Sequence, residues 1–344
     1  MTAREASHAG SWYSASGSTL SAELDGWLQQ VPGSVDGLGR LPVSGARVII
    51  APHAGYAYSG PAAAWAYKSL DLSQAKRIFL LGPSHHVHLS GLALSAHSTY
   101  TTPLGALALD TATISELRAT GKFETMSPDT DADEHSLEMH LPYIYKMLSL
   151  HFGPPSAHPP LIPLLVGATR PDTERSYGQM LAPYLADPSS VFVISSDFCH
   201  WGSRFSYTYY LPSLDVKSPA VPPGGYTLSR NPPARPAIHE SISVLDHRAM
   251  ASIEAGSHAD FLAELRMTAN TVCGRHPIGV IMAAMETVRA EREGGPSAEE
   301  GKGGTGEDGE KKARHFHFIR YEQSSACATL RDSSVSYASA YAVI

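Results

Sequence analysis

Imidazole can hold a metal ion or move a proton near neutral pH, and this sequence of 344 residues carries 17 histidines. Three positions stand out by what precedes them. His53 follows Arg47-Val48-Ile49-Ile50-Ala51 and Pro52, His85 and His86 follow Arg77-Ile78-Phe79-Leu80-Leu81 and Gly82-Pro83-Ser84, and His200 follows Val191-Phe192-Val193-Ile194 and Ser195-Ser196-Asp197-Phe198-Cys199. Each apolar run is short, continuous and rich in β-branched or large residues, the pattern of a strand buried on both faces. In open α/β sheets ligands lie beyond the carboxyl ends of the strands, so three strand ends that each carry histidine mark one crevice. Adjacent residues at a strand end point opposite ways. One of His85 and His86 therefore faces the crevice; the reading takes His85, with His88 on the surface.

Asp197 and His200 form a second candidate pair. A histidine beside a carboxylate is either a general base or a metal ligand oriented through its other nitrogen, and a turn capped by Asp197 is the bland alternative. Cys273 precedes a helix opened by Pro277, and with Arg275 and His276 nearby it is either a thiolate or an inert buried thiol. Two imidazoles and a thiolate suit a redox-active ion such as iron or copper, and zinc accepts the same set. His135, Glu138 and His140 surround a helix start, where solvated capping is expected. Tyr207, Tyr209 and Tyr210 either wall a pocket or cover the core. No phosphate-binding glycine fingerprint and no G-x-S-x-G elbow occurs.

The elements that must position these residues alternate. A helix from Ser18 carries Leu20, Leu24, Trp27, Leu28 and Val31 on one face, with Ser18 as cap. The first strand and His53 lead to a helix over 62–70 started by Pro61, and the second strand follows through a right-handed crossover. Residues 91–109 read as an antiparallel excursion on the sheet edge. Asp110 caps a helix over 111–119, an acidic run over 129–134 leads into a further helix, and 160–167 is another buried strand, joined by a helix over 173–186 to the His200 strand. Helices around 238–254 and 259–267, one ending at Arg289, and strands at 316–321 and 335–343 complete the chain. The fold class is α/β: a single domain over 1–344 with a central, mostly parallel or mixed β-sheet flanked by helices. Two insertions, 211–237 with its prolines and 291–312 with its Gly, Glu and Lys, lack apolar content and read as mobile loops.

Composition narrows the partners. A formal net charge of -7 without a basic block argues against nucleic acid or an anionic membrane surface. Three cysteines are too few for a disulfide framework, and no apolar stretch reaches spanning length. A cytoplasmic protein, with the nucleus as a second compartment, is the expectation.

Several stretches are familiar together: Arg4-Glu5-Ala6-Ser7-His8-Ala9-Gly10-Ser11-Trp12-Tyr13, Ala51-Pro52-His53-Ala54-Gly55-Tyr56, Gly82-Pro83-Ser84-His85-His86, Glu134-His135-Ser136-Leu137-Glu138-Met139-His140, Ser196-Asp197-Phe198-Cys199-His200-Trp201 and Cys273-Gly274-Arg275-His276-Pro277. They closely resemble the Memo family, named for mediating cell motility driven by a receptor tyrosine kinase. The resemblance implies a fold similar to class III extradiol dioxygenases, which hold Fe(II) with two histidines and a carboxylate. It implies a pocket in which His53, His85 and Cys273 bind iron or copper, with Asp197 and His200 close by as acid/base or supporting groups. Thiolate in place of carboxylate alters the iron's charge distribution and invites oxidation. Three functions follow as expectations: a metal-binding protein acting in redox or metal homeostasis and signalling to the cytoskeleton; an adaptor for phosphotyrosine-containing peptides or signalling proteins; and an Fe(II)-dependent dioxygenase. The adaptor reading draws on His85, His200, Arg275 and Trp201.

Overall fold

The computed structural model describes residues 2–35, 37–215, 222–232, 235–293 and 315–344. At its centre four parallel strands lie in the order Ala46–Ala51, Ser190–Ser195, Arg77–Pro83 and Leu161–Val166. All are buried throughout except Arg77, which is what runs without polar alternation require: cover on both faces. Ser334–Val343 pairs antiparallel with Ala46–Ala51 and is itself flanked by Phe316–Gln323 and His200–Trp201. At the far edge Leu92–Leu94 is antiparallel to Leu161–Val166, and Glu124–Thr125 adds one parallel strand. The sheet is therefore mixed, in an α/β fold.

Strand order positions the chemistry. Ser190–Ser195, the last of the parallel strands in the chain, enters between the first two. Residues after 195 thus emerge between those after 51 and those after 83.

Helix Tyr56–Ser69 covers Ala46–Ala51 and Ser334–Val343, while Pro171–Ala186 and Arg275–Glu293 pack on each other and on Ser190–Ser195. The first of these begins earlier than Pro61 suggests, so that proline lies inside it. Its opening turn is held from outside: the Tyr56 N–H donates to the Trp12 carbonyl at 2.9 Å. In helix Gly17–Gln30 the cap is Ser16 rather than Ser18, its hydroxyl accepting from the Thr19 N–H. Hairpin Thr99–Thr102 and Gly105–Ala108 leaves the sheet edge expected for it and forms a separate three-stranded sheet with Ala3–Arg4.

The N-terminal segment is anchored by charge. Arg4 is buried and reaches Glu138 Oε2 at 2.7 Å and Asp131 Oδ1 at 3.1 Å. Glu138 also accepts from the Tyr13 hydroxyl at 2.6 Å and the His8 N–H at 2.8 Å. Solvated capping does not describe this stretch: Glu138 and His140 are buried, because the docked segment supplies every donor the carboxylate needs.

Of the 211–237 insertion, Leu211 is buried, Leu228 joins a second apolar cluster with Trp201, Tyr207 and Tyr210, and Tyr226–Thr227 pairs with Tyr209–Tyr210. The expected mobility of 291–312 falls almost entirely outside the described residues.

Candidate metal centre

The turn after Ala46–Ala51 holds His53 buried, its N–H donating to Asp197 Oδ1 at 2.9 Å. Its Nδ1 lies 2.6 Å from Ser195 Oγ. Ser195 gives its one hydroxyl hydrogen to the Ser136 carbonyl at 2.7 Å, so it accepts from His53, and Nδ1 carries the ring proton. That leaves the Nε2 lone pair facing Cys273 Sγ at 3.2 Å.

His85 is fixed in a parallel way. Both its N–H and its Nδ1 engage Glu134, at 2.7 and 2.9 Å. A carboxylate only accepts, so Nδ1 donates and, in the neutral ring, Nε2 is the free ligand atom. A metal-binding imidazole is commonly oriented this way through its other nitrogen by a carboxylate or another acceptor.

Cys273 enters from the loop before helix Arg275–Glu293. Its sulfur accepts the Asp197 N–H at 3.1 Å. The loop comes this close because residue 274 is glycine; a Cβ there would run into Ser196 and the Ser195 carbonyl. Burial, then the adjacent Asp197 charge, push the Cys273 thiol up, so the activation expected from Arg275 and His276 is not realised. Arg275 is exposed, and His276 is held at 2.7 Å by Glu174.

Two residues that the sequence reading assigns to an acidic run and helix capping, Glu134 and His135, complete the group. Glu134 is buried, and His135 stacks on His85 with centroids 4.4 Å apart at 21°. His53, His85 and His135 each offer a nitrogen within 4.8 Å of the other two. Cys273 meets this triple through His53 and lies outside it. The available signal was Glu134-His135 at a helix start, which the sequence reading assigns to solvated capping.

A cavity of about 570 Å³ opens over these groups. His53, His85, His135, Asp197 and His200 line it, with Trp12 and Arg204 at other points of the wall. His200 donates from Nδ1 to the Phe198 carbonyl at 2.9 Å, which leaves its Nε2 for the cavity. Asp197 positions the His53 backbone; the His200 ring is oriented by the Phe198 carbonyl instead. His86 is exposed beside the cavity. Two residues of the adaptor reading lie elsewhere: Trp201 is packed in the second apolar cluster and Arg275 is absent from the cavity wall.

Comparison with known proteins agrees with the residue pattern. The profile of the family described as Memo-like protein matches residues 4–341. The chain belongs to the Memo-like family. It is 46% identical over 341 residues to Protein MEMO1 of Xenopus laevis, covering 99% of this chain and 97% of that one. Against Protein MEMO1 of Homo sapiens the figures are 45% over 338 residues, 98% and 96%. The Protein memo-1 homolog of Caenorhabditis elegans is 38% identical over 336 residues, with 98% and 81% covered.

Electrostatics in this Memo-like site favour neutral nitrogen. Burial, then His85, His135, His140 and His200, lower His53 well below the usual imidazole range. Burial and then His85 bring His135 down to about 3. Burial alone would raise Glu134, but the His85 ring and N–H and the Ser136 N–H hold it at about 2. Asp197 is raised by burial, against the pull of His200. His53 and His135 are therefore unprotonated and Glu134 is ionised near neutral pH, donors that fit a transition-metal ion.

Proposed function

We propose that this chain is a metal-binding protein that holds one iron or copper ion between His53 Nε2, His85 Nε2 and Cys273 Sγ. One observation carries the reading: the His53 nitrogen and the Cys273 sulfur face each other at 3.2 Å. Metal–nitrogen and metal–sulfur bonds of about 2.0 and 2.3 Å put two ligands of one tetrahedral ion roughly 3.5 Å apart. The pair already has nearly that separation. Binding takes the thiol proton away, so uptake of the ion releases a proton. The ion supplies Lewis acidity or electron transfer when bound. Asp197 holds the His53 backbone, and His200 presents Nε2 to the cavity as an acid or base. The cellular role is redox or metal homeostasis in the cytoplasm, with signalling to the cytoskeleton as the family resemblance implies.

The test is metal content by mass spectrometry of the purified chain. A His53→Ala, Cys273→Ser double variant is expected to lose the bound iron or copper; unchanged content overturns the ligand set.

A second reading, an adaptor for phosphotyrosine peptides, is favoured by Arg204, whose guanidinium sits 4.5 Å from the Phe205 ring on the cavity wall. A cation above an aromatic wall suits an anionic aromatic group. Saturable binding of a phosphotyrosine peptide that is lost in Arg204→Ala supports it. No binding at high micromolar peptide removes it.

A further inference from the structure

We propose a second cation position, formed by His86, Glu134 and His135, for a divalent ion that takes mixed imidazole and carboxylate ligands, such as Zn²⁺. These three residues each place a ligand atom within 4.8 Å of the other two. Glu134 is buried and pinned by the His85 and Ser136 N–H groups, so its carboxylate is fixed before any ion arrives. His86 supplies the exposed side. Neighbouring residues at a strand end diverge, and here His85 and His86 send one imidazole to each position.

His135 belongs to both groups. Its Nδ1 is 3.5 Å from Glu134 Oε1, the oxygen that His85 Nδ1 meets at 2.9 Å. Those two rings stack with centroids 4.4 Å apart at 21°. His53 lies beside both, its centroid 5.3 Å from that of His85 and 5.5 Å from that of His135.

The position does not rest on the His53, His85 and Cys273 reading, and one experiment separates them. The full chain, stripped with chelator, is titrated with Zn²⁺ by calorimetry alongside His86→Ala and His53→Ala. Two ions are expected in the unaltered chain and one in each variant. If the cavity centre is wrong and this position right, one ion binds, survives His53→Ala and vanishes in His86→Ala. A His86→Ala isotherm identical to that of the unaltered chain overturns the proposal. His86 is exposed, so its truncation leaves folding intact, checked by an unchanged melting curve.

Discussion

At the scale of single residues, the site works because each imidazole has one nitrogen spoken for. Glu134 does this for His85, and losing such a partner typically weakens metal affinity ten- to a hundredfold. Glu134→Gln, which keeps the shape and removes the charge, is therefore expected to raise the dissociation constant for iron or copper by that range; an unchanged constant in competition with a chelator contradicts the role. The same residues set an acid limit. An unfolded histidine takes its proton near pH 6.5, whereas His135 in the fold takes it only near 3. Protons then favour the unfolded chain, and stability falls as pH drops below about 6.5, at roughly 1.4 kcal/mol per pH unit from His135. Glu134 and Glu138, both held at about 2, act in the same direction: their stabilisation is present above about pH 4.5 and is lost below it. The urea midpoint of the chelator-treated protein should fall between pH 7 and pH 5, and His135→Gln should flatten that slope. A midpoint that rises on acidification would refute the neutral-imidazole assignment.

At the scale of elements, the loop before helix Arg275–Glu293 and the N-terminal segment do the positioning. Gly274→Ala pushes the loop off Ser195 and Ser196, and with it the Cys273 sulfur, so affinity for the ion should drop roughly tenfold or more, about 1.4 kcal/mol. Arg4→Ala leaves the Glu138 and Asp131 carboxylates buried without their cation, expected to cost about 3–5 kcal/mol in denaturant unfolding. It should also loosen Trp12, whose ring lies tilted against His135 with centroids 4.5 Å apart. The central strands were legible in sequence because burial on both faces leaves an unbroken apolar run, and His53, His85, Asp197 and His200 were legible because they end such runs. Elements fixed from a distance were not. The early start of helix Tyr56–Ser69 depends on Trp12, the separate small sheet on Arg4, and the burial of 134–140 on donors more than a hundred residues away. None of these leaves a local period.

At the scale of the whole molecule, the site exists only when the fold brings the turns after residues 51, 83 and 195 and the loop at 273 to one rim. The unfolded chain has no such site, so on the proposed reading a bound ion stabilises the fold by mass action, by about 2.7 kcal/mol at a hundredfold excess over the dissociation constant. A rise of a few degrees in melting temperature on adding metal, abolished in the His53→Ala, Cys273→Ser variant, is the expected sign. No helix among the described residues is long and apolar enough to cross a membrane. The most direct measurement of the centre is X-ray absorption on the iron- or copper-loaded chain. Imidazole nitrogens and one sulfur near 2.3 Å, with the sulfur lost in Cys273→Ser, are expected; a shell of nitrogen and oxygen alone, identical in that variant, would contradict the centre.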